Sequence, residues 1–205
     1  MQKIRVLGVS GSPRKGRNTE TLLNVALDAA LNLGAEARAV SLPDYKILSC
    51  DGCNTCVKEK RCPLDEKDDM GKIKSELVWA DGIIFAAPSY FGSVPGLMKD
   101  LMDRSRPLKM CGHMLSGKVA SVLALSGLRY GGAEQVAEAL VRFALMHGMI
   151  VVGGCGDPLT SSYFGISSMQ SDSGWRRINE DAIALENAKS VGRRVFEVAS
   201  ALKRL

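Results

Sequence analysis

Short apolar runs alternate with longer amphipathic stretches along this chain. Residues 3–9 read as a buried strand, and residues 82–87, 119–125 and 149–152 repeat the pattern; residues 36–42 form a more polar strand. Between the first two strands Leu22, Leu23, Ala26, Leu27, Ala30 and Leu31 recur at helical spacing, with Asn18 or Thr19 suited to the N-cap and Gly34 to the stop. Further helices are predicted over residues 67–80, over a short stretch after Pro95 marked by Leu97, Met98, Leu101 and Met102, over a stretch marked by Val136, Leu140, Ala144 and His147, and from Leu185 to Leu202.

Strands alternating with helices predict an α/β fold: a three-layer sandwich around a five-stranded parallel sheet in the flavodoxin-like order 2-1-3-4-5. No repeat or linker divides the chain, so residues 1–205 are expected to form one domain with two long inserted loops, 43–66 and 153–175. The segments after the strands (10–18, 43–66, 88–95, 126–132 and 153–175) fall at the carboxyl edge of such a sheet, where ligands bind, and one site collecting all five is expected.

The chain is 46% hydrophobic and 24% charged, enough to bury a core and too apolar for disorder. Its longest apolar run, near residues 119–125, is too short for a membrane span, and no signal peptide is expected at the start. The net charge of +5 is spread over helices rather than gathered in one stripe, so neither nucleic acid nor membrane is expected as a partner. The weak positive field suits an acidic protein or a phosphate.

The loop Ser10-Gly11-Ser12-Pro13-Arg14-Lys15-Gly16-Arg17-Asn18-Thr19 combines tight turns, hydroxyl and amide donors, and the positive end of the first helix. A phosphate is expected there. The pattern is neither a P-loop nor a spaced Gly-x-Gly-x-x-Gly fingerprint. Gly-Ser-Pro-Arg followed by Asn-Thr resembles the phosphate loop of the NADPH-dependent FMN reductase-like flavoproteins. The resemblance assigns Ser10, Ser12, Arg14, Asn18 and Thr19 to the FMN phosphate.

After the third strand, Pro88-Ser89-Tyr90-Phe91-Gly92 offers aromatic faces and close backbone approach, as a flat ring system needs. Taken alone, Tyr90 and Phe91 read as core packing. With Met98-Lys99 and Asp103-Arg104 the stretch is similar to the same family's Pro-x-Tyr and Met-Lys-x-x-x-Asp-Arg pattern, which implies that Pro88, Ser89, Tyr90, Phe91 and Gly92 hold the isoalloxazine. Ser126, Gly127 and Gly131 are similar to that family's third flavin loop. The family's following helix often packs in a dimer, so Met98 and Met102 read equally as interface and core.

Four of the six cysteines stand close together as Cys50-x2-Cys53-x2-Cys56-x5-Cys62, with Pro63 next. A chain with a large core and no export signal belongs in a reducing compartment, where such cysteines read as thiolate ligands rather than disulfides. Two successive x2 gaps match the ferredoxin run and favour one [4Fe–4S] cluster, with a closed zinc site as the competitor. Lys58, Lys60 and Arg61, beside the ligands, are expected to favour the reduced cluster. Asp65, Glu66, Asp68 and Asp69 read as helix-start charges, His147 as a structural residue at a helix end favourable to a cation, His113 as a loop residue, and Cys111 and Cys155 as buried thiols.

This cysteine loop on a flavin fold resembles the iron–sulfur flavoprotein family over nearly the whole chain. The resemblance implies FMN and one [4Fe–4S] cluster per subunit, a redox protein such as ferredoxin as donor, a small-molecule acceptor, a homodimer or homotetramer, and a cytoplasmic location. No general acid–base constellation is evident, so the chemistry is expected to belong to the cofactors. The competing readings are an NAD(P)H-dependent FMN or quinone reductase whose cysteines hold zinc or only shape a loop, and a zinc-stapled binding module without enzymatic activity. The long 153–175 loop is expected to cover the flavin or meet a neighbouring subunit.

Overall fold

A computed structural model describes residues 3–204. Its parallel sheet contains β1 (Arg5–Ser10), β2 (Glu36–Ser41), β3 (Gly82–Pro88), β4 (Val119–Ser126), β5 (Ile150–Val151) and β6 (Gly165–Ser168). The order is β2-β1-β3-β4-β5, as the alternation predicts, and β6 also pairs with β4. β5 lies beside Val119 and Ala120, whereas β6 lies beside Leu123–Ser126, so two separate segments share the fifth position.

This corrects the expectation that residues 153–175 are wholly a loop. The chain leaves the sheet after Val151, returns as β6, and then makes a small hairpin of β7 (Gln170–Ser171) and β8 (Gly174–Trp175). Gly165 permits the return: a Cβ there would stand 2.4 Å from Leu123 Cδ2. The segment Gly-Ile-Ser-Ser is too short and polar to announce itself as a strand.

The central strands are buried on both faces, and successive residues enter opposite cores. Ile83 and Phe85 pack with α3 (Met70–Trp79), α4 (Gly96–Arg104) and α6 (Ala133–Met146). Ile84 and Ala86 pack with α1 (Asn18–Leu31) and α7 (Ala182–Leu202). This period of two is what places helices on both sides of a parallel sheet. Two short helices escape periodicity: α2 (Thr55–Lys58), inside the cysteine loop, and α5 (Arg106–Met110). Among the described residues no helix is long and apolar enough to cross a membrane.

Candidate functional site

A cleft of about 570 Å3 opens at the carboxyl ends of β1, β3 and β4. Ser12, Arg14, Asn18 and Thr19 line one end, and Pro88, Ser89, Tyr90, Ser126 and Gly127 the other. Arg17, not Asn18 or Thr19, is the N-cap of α1 and supplies no side-chain cap. The first-turn N–H groups are therefore left for another acceptor beside the cleft, at the positive end of the helix. Arg14, Arg17 and Arg177 all line the cleft, and among the described residues none of them forms an ion pair. Ser10, placed by the sequence at the phosphate, does not line the cleft; it lies buried at the end of β1, its Oγ without a hydrogen-bond partner.

The Pro88 segment turns sharply. Tyr90 and Ser93 exchange backbone hydrogen bonds of 2.9 and 3.1 Å, with Phe91 and Gly92 in the left-handed region between them (φ 51° and 74°). A bulky residue at positive φ is strained, and such strain gathers at functional sites. Phe91 is fully exposed at the tip. Phe91, Gly92 and Gly131 line a second recess of about 660 Å3, which meets the cleft at Ser89 and Gly127. Ser89 Oγ donates to the Gly131 carbonyl at 2.5 Å, tying the two loops together.

Cys50, Cys53, Cys56 and Cys62 all line one small cavity of about 20 Å3, closed by Asp103, Arg104, Arg106 and Pro107. Gly52, Asn54 and Lys60 take positive φ and curl the loop around it. The thiols are free. They surround this common space, and among the described residues no group of three or more His, Cys, Asp or Glu side chains is arranged to hold a single metal ion. The cations on the cavity wall are Arg104 and Arg106, not the expected Lys58, Lys60 and Arg61, which are exposed. Arg104 is fully buried. Its Nη1 donates to the Leu48 carbonyl (2.7 Å) and Asp68 (2.5 Å), and its Nη2 to Asp65 (3.0 Å). Burial opposes its charge, but the Asp68 hydrogen bond and the neighbouring Cys62 sulfur outweigh it and raise the guanidinium pKa. Burial likewise opposes ionisation of Asp68, but Arg104 and the hydrogen bonds from the Leu48 and Met70 N–H groups outweigh it and lower its pKa.

The cavity shares no lining residue with the flavin-type cleft. The expected single site of five loops is thus two sites. The helix α4 leads from the Pro88 turn to Arg104, a rise of ~12 Å between Gly96 and Arg104.

Residues 4–156 match the NADPH-dependent FMN reductase family. An iron–sulfur flavoprotein from Archaeoglobus fulgidus is 40% identical over 202 residues, covering 98% of both chains. One from Methanocaldococcus jannaschii is 40% identical over 201 residues, covering 98% of this chain and all of that one. This chain belongs to the iron–sulfur flavoprotein family. Among solved structures, a WrbA-like flavodoxin from Agrobacterium tumefaciens superposes with a TM-score of 0.64 at 18% identity, covering 97% of this chain and 99% of that one, which shows the shared fold.

As a member of this family the chain is a flavoprotein oxidoreductase, and the cleft fits FMN. It joins an uncapped helix start and three arginines free of carboxylates to a flat recess walled by the Tyr90–Ser93 turn and the Gly127–Gly132 loop. The glycines are needed there: a Cβ on Gly132 would come 2.6 Å from Gly92 Cα, and one on Gly131 2.9 Å from the Leu128 carbonyl.

Several features escaped sequence reasoning. Arg176 and Arg177 line the cleft just beyond the 153–175 loop, from which Met169 and Trp175, within the stretch expected to cover the flavin or meet a neighbouring subunit, line it as well. Asn18, in the cleft lining, also fastens the segment between β6 and α7, its side-chain N–H donating to Met169 Sδ at 2.7 Å and its Oδ1 accepting from the Ile178 N–H at 3.4 Å. Asp65 and Asp68 are not merely helix-start charges but counterions of Arg104. Cys111 and Cys155 are exposed, not buried; Cys111 Sγ donates to the Lys60 carbonyl at 2.7 Å. Met98 is fully buried beneath Gly11, on the core side of α4.

Proposed function

We propose that this flavoprotein relays electrons between FMN in the cleft and one [4Fe–4S] cluster ligated by Cys50, Cys53, Cys56 and Cys62. The donor is a one-electron carrier such as ferredoxin and the final acceptor a small molecule. The observation that carries this reading is the single cavity walled by all four cysteines, at the far end of the helix that leaves the flavin loop. Thiols spread around a shared space suit a core of several metal atoms. When bound, the cluster exchanges single electrons and the flavin one or two, so the pair couples single-electron carriers to two-electron chemistry.

The chain's own part is positioning. Arg14, Arg17, Arg177 and the start of α1 balance the FMN phosphate, while the Tyr90–Ser93 turn and residues 126–132 present backbone to the ring. The net charge of +5 suits an acidic electron donor. Phe91 and Tyr130, exposed beside the flavin recess, support assembly as a homodimer or homotetramer. A reducing cytoplasm keeps the four thiols available.

A second reading, a direct NAD(P)H-dependent quinone or FMN reductase with zinc or no metal on the cysteines, draws support from an NAD(P)H dehydrogenase (quinone) of Aromatoleum aromaticum. It is 33% identical over 138 residues, covering 63% of this chain and 65% of that one. Metal, sulfide and flavin analysis of anaerobically purified protein separates the two. The first reading expects about four irons per FMN and a broad absorption near ~400 nm bleached by dithionite; yellow protein with zinc or no metal supports the second and refutes the first. Cys53→Ala is expected to lose iron and keep FMN; retained stoichiometric iron would refute the ligand set.

A further inference from the structure

Arg104 is the one cation in the wall of the thiol cavity that is wholly buried. Its bonds bracket the cysteine segment: Leu48 lies two residues before Cys50, and Asp65 three after Cys62. Asp68 also receives the Leu48 N–H at 2.9 Å, so one ion pair joins both ends of the loop. Next along the chain Arg106 holds Asn54 Oδ1 at 2.9 Å. Four of the guanidinium hydrogen bonds are thus made to the loop ends by Nη1 and Nη2. The fifth donor, the Nε–H, is buried and has no partner. A buried charged donor left unmade is costly and calls for an acceptor.

We propose that Arg104 is the positioning residue of the four-cysteine centre, clasping the loop ends with Nη1 and Nη2 and reserving its Nε–H and its charge for the inorganic core. The inference rests on the cluster reading above and adds to it a residue from outside the cysteine loop. Adding one electron to such a core makes it more negative without breaking a bond. A fixed cation and an N–H donor beside it favour the reduced form and raise the potential. Asp65 and Asp68 together balance the charges of Arg104 and of Lys74, which pairs with Asp65, but both carboxylates are held on the Nη side by hydrogen bonds, which leaves Nε as the group free for the core.

The test compares wild-type protein with Arg104→Gln and Arg104→Lys, purified anaerobically, by iron and FMN content and by a dye-mediated redox titration followed by electron paramagnetic resonance. Both variants are expected to keep FMN, since Arg104 does not touch that cleft. Arg104→Gln is expected to shift the one-electron reduction equilibrium about tenfold toward the oxidised form, about 59 mV. Arg104→Lys, keeping the charge but not the Nε–H, falls between. Should Arg104→Gln fail to fold, Arg104→Gln with Asp68→Asn avoids a stranded carboxylate, because Asp65 retains Lys74. Full iron with an unchanged potential in the variants overturns the inference. Iron lost with FMN retained in both limits Arg104 to the clasp and overturns its potential-setting part. Wild-type protein without iron overturns instead the reading of the centre itself.

Discussion

His147, at the C-cap of α6, shows how burial decides the state of a single side chain. A helix end favours a cation, yet this imidazole is buried, with Nε2 2.8 Å from Ser105 Oγ and Nδ1 without a partner. Burial, then the charges of Lys109 and His113, push its pKa down to about 4. The unfolded chain titrates near ~6.5, so between these values the unfolded state binds more protons. Its contribution is complete above about pH 6.5 and is lost as the pH falls toward about 4. Urea unfolding between pH 7 and pH 4.5 is expected to show stability falling through this window, and His147→Gln a flatter slope. The lowered pKa of Asp68 adds a further loss under more acidic conditions.

Arg177 carries a second prediction of this kind. It lines the cleft, and among the described residues it has no ion-pair partner. A charge-assisted hydrogen bond contributes about 1.5–3 kcal/mol. Arg177→Ala is therefore expected to weaken FMN binding to apoprotein about ten- to a hundredfold, while riboflavin, which lacks the phosphate, binds as before. Flavin fluorescence titration measures both. Equal losses for the two flavins would remove Arg177 from the phosphate end.

Helices α1 and α7 cross where Gly192 meets Ala26. A Cβ on Gly192 would lie 1.9 Å from the Ala26 carbonyl oxygen, a backbone atom that cannot swing away. Gly192→Ala gains up to about 1 kcal/mol of helix propensity but forces the two helices apart. Overpacking of this type costs about 1–3 kcal/mol, so net destabilisation is expected by denaturant titration with FMN-free protein. The same crossing explains why the long helices were legible in the sequence. Each carries an apolar stripe over several turns, whereas α2 and α5 span about one turn each and offer no periodicity to read. The strand β6 was hidden for a related reason: four residues whose pairing partner, β4, ends nearly forty positions earlier.

Over the molecule as a whole, two chemically distinct cavities share one sheet and are linked by α4. Phe91 and Tyr130 stand exposed on the rim of the flavin recess, and Leu128 beside them is more than half exposed. Apolar groups gathered at a functional rim favour a protein partner. In the proposed homo-oligomer, Phe91→Ser with Tyr130→Ser is expected to shift the assembly toward smaller species in sedimentation velocity, with iron content unchanged. An unaltered sedimentation profile would show that this rim is not the contact between copies.

The alternation of apolar runs determined the parallel sheet and its order, because a strand buried on both faces must be apolar throughout and each crossover needs a helix. That the four cysteines would meet was equally legible, since they lie within thirteen residues, and all four line one cavity. Only the tertiary structure separated the cysteine cavity from the flavin cleft, tied Asn18 at the cleft to Met169 and Ile178, and brought Arg177 to the cleft. It also put Arg104 against Leu48, Asp65 and Asp68, partners 36 to 56 residues away. Contacts of that range form only when separate elements pack, and burial then fixes which charges are paired, which donors stay free and which imidazole stays neutral.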